Sequence, residues 1–108
     1  MASDKRLVTV LGSTGSIGLS TLDVIARHPD QFGVYALAAS RSVDTMLAQC
    51  LEHQPRFAVM MDEAAADDLA KRLPRDGPTE VLQGEAALKA VVTAPEVDSV
   101  MAAIVGAA

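Results

Sequence analysis

Residues 10–18 read VLGSTGSIG, with Gly12, Gly15 and Gly18 spaced three apart between an apolar run and the start of a helical pattern. Upstream, Leu7 to Leu11 (LVTVL) is short, β-branched and apolar, bounded by charge on one side and glycine on the other. That pattern predicts a parallel strand buried on both faces. Downstream, from Ser16 to about Arg27, Ile17, Leu22, Ile25 and Ala26 fall within one helical stripe. The stretch HPD at 28–30 stops the helix, because Pro29 restricts the residue before it. A second apolar run, VYALAA at 34–39, follows at the distance a strand-helix-strand unit requires.

The remainder repeats this alternation. Asp44 is expected to cap a helix whose Met46, Leu47, Cys50 and Leu51 form its apolar face, ending near Pro55. FAVM at 57–60 predicts a third strand. Asp62 and Glu63 open an alanine-rich helix that closes at Leu73 and Pro74, with KR in its last turn where the helix dipole favours cations. RDGP at 75–78 predicts a turn, EVL at 80–82 a short edge strand, EAALKAVV at 85–92 a helix, and VMAAIV at 100–105 a very apolar last strand. Such alternation with short connections predicts an α/β, Rossmann-like parallel sheet with helices on both faces, since each parallel neighbour needs a right-handed crossover.

Composition sets bounds. At 108 residues the chain accommodates one domain. Half of its residues are hydrophobic but only 3% aromatic, so the core is built from small aliphatics between thin layers. A net charge of -5 argues against nucleic acid or an anionic membrane as partner, because both need a clustered basic face. The single cysteine, Cys50, excludes an internal disulfide and fits a reducing compartment. No export signal is visible, and no segment reaches the roughly 20 apolar residues needed to cross a bilayer. A cytoplasmic location is expected.

The glycine loop implies an anion site. Gly12 permits a sharp turn off the strand, Gly15 leaves the backbone open to a pyrophosphate, and Gly18 allows the helix to approach the sheet. The amides of Gly15, Ser16 and Ile17 at the helix N-terminus, with the hydroxyls of Ser13, Thr14 and Ser16, supply donors in an otherwise acidic protein. The alternative is a purely structural turn. A P-loop does not fit, because Leu19 stands where its lysine belongs. NAD sites place a carboxylate at the end of the second strand, about 20 residues past the glycines, to hold the ribose hydroxyl. Here that strand runs into AASRS at 38–42 with no acid before Asp44. Arg41 offers a guanidinium fork for a 2'-phosphate and Ser40 and Ser42 offer short donors, which favours NADP(H).

Other reactive residues carry weaker signals. His28 and His53 sit at helix ends, where cations suit the dipole. Cys50 falls on an apolar face and reads as core. Asp62, Glu63, Asp67 and Asp68 read as a solvated face, with no histidine or further acid at a ligand spacing. No catalytic residues and no metal ligands are expected.

The segments GSTGSIGLSTLDVI (12–25), QCLEHQPRFAVMMDE (49–63) and VDSVMAAIVGAA (97–108) resemble the 1-deoxy-D-xylulose 5-phosphate reductoisomerase family, from about Leu7 to the last residue. The resemblance implies a protein that converts its sugar phosphate substrate to 2-C-methyl-D-erythritol 4-phosphate with NADPH and Mg2+ or Mn2+, in non-mevalonate isoprenoid synthesis, as a homodimer. By position it implies cofactor contacts at Thr14, Gly15, Ser16 and Ile17 on the pyrophosphate, at Ser40, Arg41 and Ser42 around the adenosine phosphate, and at Ala102 and Ala103 beside the switch point. The family often carries glycine, lysine and asparagine where this chain has Ser40, Arg41 and Ser42; the cation is kept and the glycine is not. Members of the family continue past AIVGAA with a metal site, a flap and a helical domain. Residues 1–108 therefore resemble an N-terminal NADPH-binding domain that is expected to be inactive alone, and whose last strand would expose an apolar edge and promote self-association. Two other readings remain open: the cofactor domain of a different NADP-dependent reductase, and a non-enzymatic NADP(H)-responsive module.

Overall fold

The chain alternates strand and helix throughout residues 6–93 and 99–102, which are the residues described by this computed structural model. The elements are β1 (Arg6–Leu11), α1 (Ser16–Arg27), β2 (Phe32–Ala39), α2 (Val43–His53), β3 (Phe57–Met60), α3 (Glu63–Arg72), β4 (Glu80–Gln83), α4 (Glu85–Val92) and β5 (Ser99–Ala102). All strand pairs are parallel and the sheet order is β4-β3-β2-β1-β5.

This order sets the layers. The steps from β1 to β2, β3 and β4 run in one direction, so right-handed crossovers place α1, α2 and α3 on one face. The next step reverses and jumps back past β1, which sends α4 to the opposite face. The two apolar clusters match. Leu22, Ile25, Met46, Cys50, Ala66 and Leu69 of the first three helices pack with Val8, Val10, Leu37 and Met60. On the other face Val91 of α4 packs with Tyr35, Ala36, Ala38 and Val59.

Strand β2 begins two residues before the predicted run, and it contains an irregularity that alternation does not predict. Val8 pairs with Val34 but Thr9 pairs with Ala36, which leaves Tyr35 as an extra residue. Tyr35 and Ala36 consequently face the same cluster, and the Tyr35 ring meets Phe57 edge-on at 5.6 Å.

Several helix details depart from the periodic reading. In α1 the buried stripe is Gly18, Leu22 and Ile25, whereas Ala26 is exposed. In α2 the N-cap is Ser42, and Asp44 lies inside the first turn. The Asp44 carboxylate accepts instead from Arg72 Nη1 at 2.7 Å, because Arg72, held by Asp68 at 3.2 Å, reaches it from α3. The buried face of α2 is Met46, Gln49 and Cys50, with Leu51 half exposed. A polar residue replaces the expected leucine because its carboxamide has a partner in the glycine loop, described below. In α3 the expected opening holds, with Glu63 in the first turn, while Asp62 stands one residue before the helix and caps it by accepting from the Ala65 amide at 2.9 Å. The last strand is described over Ser99–Ala102; Ala103 and the rest of the predicted run lie outside the described residues. Among the described residues no helix is long and apolar enough to cross a membrane.

Candidate functional site

Parallel pairing carries the ends of β1, β2 and β5 to one edge of the sheet, where Leu11 is in register with Ala38 on one side and Ala102 on the other. The loop of Gly12–Ile17, the Ser40–Ser42 turn and Ala102 therefore share that edge. Because the connection order reverses between β1 and β5, this is the switch point at which an open α/β sheet forms a crevice.

The loop is built tightly. Gly12 has φ 69, a left-handed conformation that favours glycine and turns the chain off β1. The Ser13 amide donates to the Ala38 carbonyl at 3.0 Å, which ties the loop to β2. Ser13 is fully buried, with its hydroxyl against Met46 Sδ at 4.0 Å. It is therefore turned inward and unavailable as a ligand donor, contrary to the sequence expectation. Gln49 Nε2 donates to the Ser13 carbonyl at 2.8 Å. A Cβ on Gly18 would fall on the Gly12 carbonyl oxygen and within 2.6 Å of Ser13 Cα, so α1 rests directly on the loop backbone. Gly15 has no such neighbour; a Cβ there would meet only the Gly12 carbonyl oxygen at 3.5 Å.

The donors at the start of α1 differ in part from those expected. The Gly15 amide is already used, donating to the Gly12 carbonyl at 3.0 Å. The reason is local: the turn that Gly12 makes closes a short ring across the loop. The amides of Thr14 and Ser16 have no acceptor among the described residues. Ser16 and Ile17 open α1, where the amides of a first turn lack intrahelical partners. The N-cap is Gly15, without a side-chain cap, and the first turn holds no acid. By contrast, Asp44, Glu63 and Glu85 stand in the first turns of α2, α3 and α4. The positive end of α1 is thus the one left uncompensated among these four helices, and it points at the crevice.

Across the same edge, Ser40, Arg41 and Ser42 are all exposed. Their backbone is pinned, with the Ser40 carbonyl accepting from the Asp62 amide at 3.1 Å and the Arg41 carbonyl from the Val43 amide at 2.9 Å. The Arg41 side chain makes no ion pair among the described residues. A guanidinium without an ion pair among the described residues, on a fixed backbone at the same edge as amides without acceptors among those residues, is an arrangement suited to a ligand carrying two separated anionic groups.

The remaining reactive residues lie elsewhere. His28 and His53 are near the start of β2, at the opposite end of the sheet from the loop: the His28 carbonyl accepts from Phe32 at 3.0 Å, and His53 lines a cleft with Phe32. Asp67 and Asp68 pair with Lys71 and Arg72 one helical turn on, at 3.1 and 3.2 Å. No three His, Cys, Asp or Glu side chains among the described residues are placed to hold a metal. Burial pushes the Cys50 thiol up to about 12, away from the thiolate a nucleophile needs. Iodoacetamide at pH 8 is therefore expected to leave Cys50 largely unlabelled in the folded chain and to label it readily in urea; equal rates would show an accessible thiol. The same shift means that the unfolded chain loses this proton first as pH rises, so the stability tied to it declines from about pH 9 upward.

Sequence reasoning missed Gln49 and Met46 as supports of the loop. The available signal was a glutamine set between Met46 and Cys50 on an otherwise apolar face, since a buried amide is costly unless a partner awaits it.

The chain resembles known proteins in both sequence and fold. Residues 8–108 match the family model described as 1-deoxy-D-xylulose 5-phosphate reductoisomerase. The reductoisomerase of Nitrosospira multiformis is 58% identical over 104 residues, covering 95% of this chain and 26% of that protein. That of Aromatoleum aromaticum is 59% identical over 102 residues, covering 94% and 25%. This chain thus spans about a quarter of the length of the curated relatives it matches. Among solved structures, the Zymomonas mobilis reductoisomerase in complex with NADPH superposes with a TM-score of 0.72 at 40% identity, over 78% of this chain and 22% of that one. A DOX-P reductoisomerase in complex with NADPH, fosmidomycin and magnesium superposes with a TM-score of 0.85 at 32% identity, over 92% and 24%. With the doubly wound sheet, the glycine loop and the match over nearly its whole length, the chain belongs to the 1-deoxy-D-xylulose 5-phosphate reductoisomerase family.

Proposed function

We propose that residues 1–108 form the NADPH-binding domain of a cytoplasmic reductoisomerase that converts 1-deoxy-D-xylulose 5-phosphate to 2-C-methyl-D-erythritol 4-phosphate, with the chemistry carried by residues outside this chain. The observation that carries the reading is the N-terminus of α1, with no acid in its first turn, at the same sheet edge as Arg41, which makes no ion pair among the described residues. When bound, NADPH supplies the hydride. The chain's part is to hold it: amides at Thr14, Ser16 and Ile17 with the α1 dipole take the diphosphate, and Arg41, Ser40 and Ser42 take the phosphorylated ribose. Gly15 keeps the approach open, Gly12 turns the loop, and Ala102 flanks the cofactor at the switch point. The described residues offer no donor set for the magnesium of the family structures.

The deciding measurement is a fluorescence titration of the chain with NADPH and with NADH. NADPH is expected to bind the more tightly; equal affinities, or none for either, would remove the reading. Self-association belongs to the same proposal. Strand β5 has β1 as its single neighbour among the described residues, and its sequence after Ser99 is apolar. Sedimentation velocity is expected to show concentration-dependent association through this edge, and a monomer at every concentration would contradict it.

A further inference from the structure

Gln49 is a buried polar residue on the apolar face of α2, between Met46 and Cys50. Its Nε2 donates to the Ser13 carbonyl 36 positions away at 2.8 Å, while its Oε1 is buried with no partner among the described residues. A half-satisfied amide is retained here at a cost to stability, so the bond it does make calls for a reason beyond filling the core. The reason lies in the peptide it grips. The Ser13 carbonyl and the Thr14 N–H belong to one planar trans peptide and point in opposite directions. Holding the carbonyl inward against α2 turns the Thr14 N–H outward, and that amide has no acceptor among the described residues.

We infer that Gln49 is a positioning residue for the cofactor diphosphate, aiming the Thr14 amide into the crevice by anchoring the far side of the same peptide. Neighbouring groups support this division of labour. The next peptide is turned the other way, since the Gly15 amide points inward to the Gly12 carbonyl. The one after is turned outward again, because the Gly15 carbonyl accepts from the Leu19 amide at 2.9 Å and so directs the Ser16 N–H off the helix end. Gly18 of α1 lies against the Ser13 backbone and Gln49 of α2 holds its carbonyl, so the residue is fixed by two helices. The loop therefore presents alternate amides, at Thr14 and Ser16, and Gln49 sets the first of them.

The inference rests on the NADPH reading above, and its test separates the two. In the unaltered, 15N-labelled full chain, the Thr14 and Ser16 amide resonances are expected to move most on adding NADPH, and Gly15 less. In Gln49→Met, which keeps the length and removes the donor, the dissociation constants for NADPH and NADH are each expected to rise about tenfold with their ratio unchanged, the loss of one aimed donor to a charged group. Adenosine 2'-monophosphate, which lacks the diphosphate, is expected to bind the variant within about twofold of the unaltered chain. A merely structural role would weaken all three ligands together and would leave Thr14 undistinguished. A still Thr14 resonance in a chain that binds NADPH, or full affinity in Gln49→Met, overturns the inference while leaving the NADPH reading intact. Failure of the unaltered chain to bind either dinucleotide overturns both. If Gln49→Met does not fold, the Thr14 resonance of the unaltered chain decides.

Discussion

Gly18→Ala is expected to lower the stability of the chain by about 3 kcal/mol, at the upper end of what an extra methyl in a filled site costs. On helix propensity alone the sign would be opposite, because alanine in a helix interior is favoured over glycine by roughly 1 kcal/mol. Packing wins here because of what the methyl meets. The atoms in its way are the Gly12 carbonyl oxygen and Ser13 Cα, which are backbone and cannot rotate aside. Either α1 lifts from the sheet or the loop moves, and the loop is pinned through Ser13 to both Ala38 and Gln49. For a domain of this size the loss corresponds to a fall of roughly 12–24 °C in thermal midpoint, readable by circular dichroism. Gly15→Ala is the control. Its methyl would have only a 3.5 Å contact, so its stability cost is expected to remain within about 1 kcal/mol, the preference of a helix N-cap for glycine over alanine. Similar midpoints for the two variants would show that the loop is looser than its geometry implies.

The second large effect concerns selectivity. Arg41→Ala is expected to weaken NADPH binding about tenfold to a hundredfold, the consequence of losing a charged hydrogen-bond partner, with little change for NADH. The guanidinium is exposed and makes no ion pair among the described residues, so its removal leaves no protein charge stranded. What is lost is its attraction for the 2'-phosphate in a protein of net charge -5. Because this contact is exposed, the difference between the unaltered chain and the variant should shrink as salt rises from 0.05 to 0.5 M, on the order of the range over which screening tightens. Equal losses for the two cofactors would take Arg41 out of the selecting role.

Much of the architecture could be read locally. LVTVL, FAVM and EAALKAVV form elements within a residue or so of the bounds their patterns imply, since a strand buried on both faces or a short amphipathic helix is a local composition. The opening of α3 at Asp62 and Glu63 was equally visible, and the amide that Asp62 accepts from lies only three residues on. The failures share a different origin. Asp44 looks like a cap from its neighbours, but its carboxylate is held by Arg72, 28 residues away. The buried face of α2 includes Gln49 in place of Leu51 because the partner of Gln49 is a carbonyl 36 residues away. Tyr35 upsets the alternation of β2 because pairing with β1 slips by one there. None of these partners lies within the span that a periodicity samples.

Glycine spacing and apolar runs were sufficient to specify a doubly wound sheet with a tight glycine turn after β1, because backbone conformational freedom and the burial pattern of a strand or helix are properties of short segments. Which amides of that loop face outward was settled only by the assembled fold. A peptide group turns according to the partners that take its carbonyl and its N–H, and for Ser13 those partners come from β2 and α2, elements that meet the loop only once the sheet has formed.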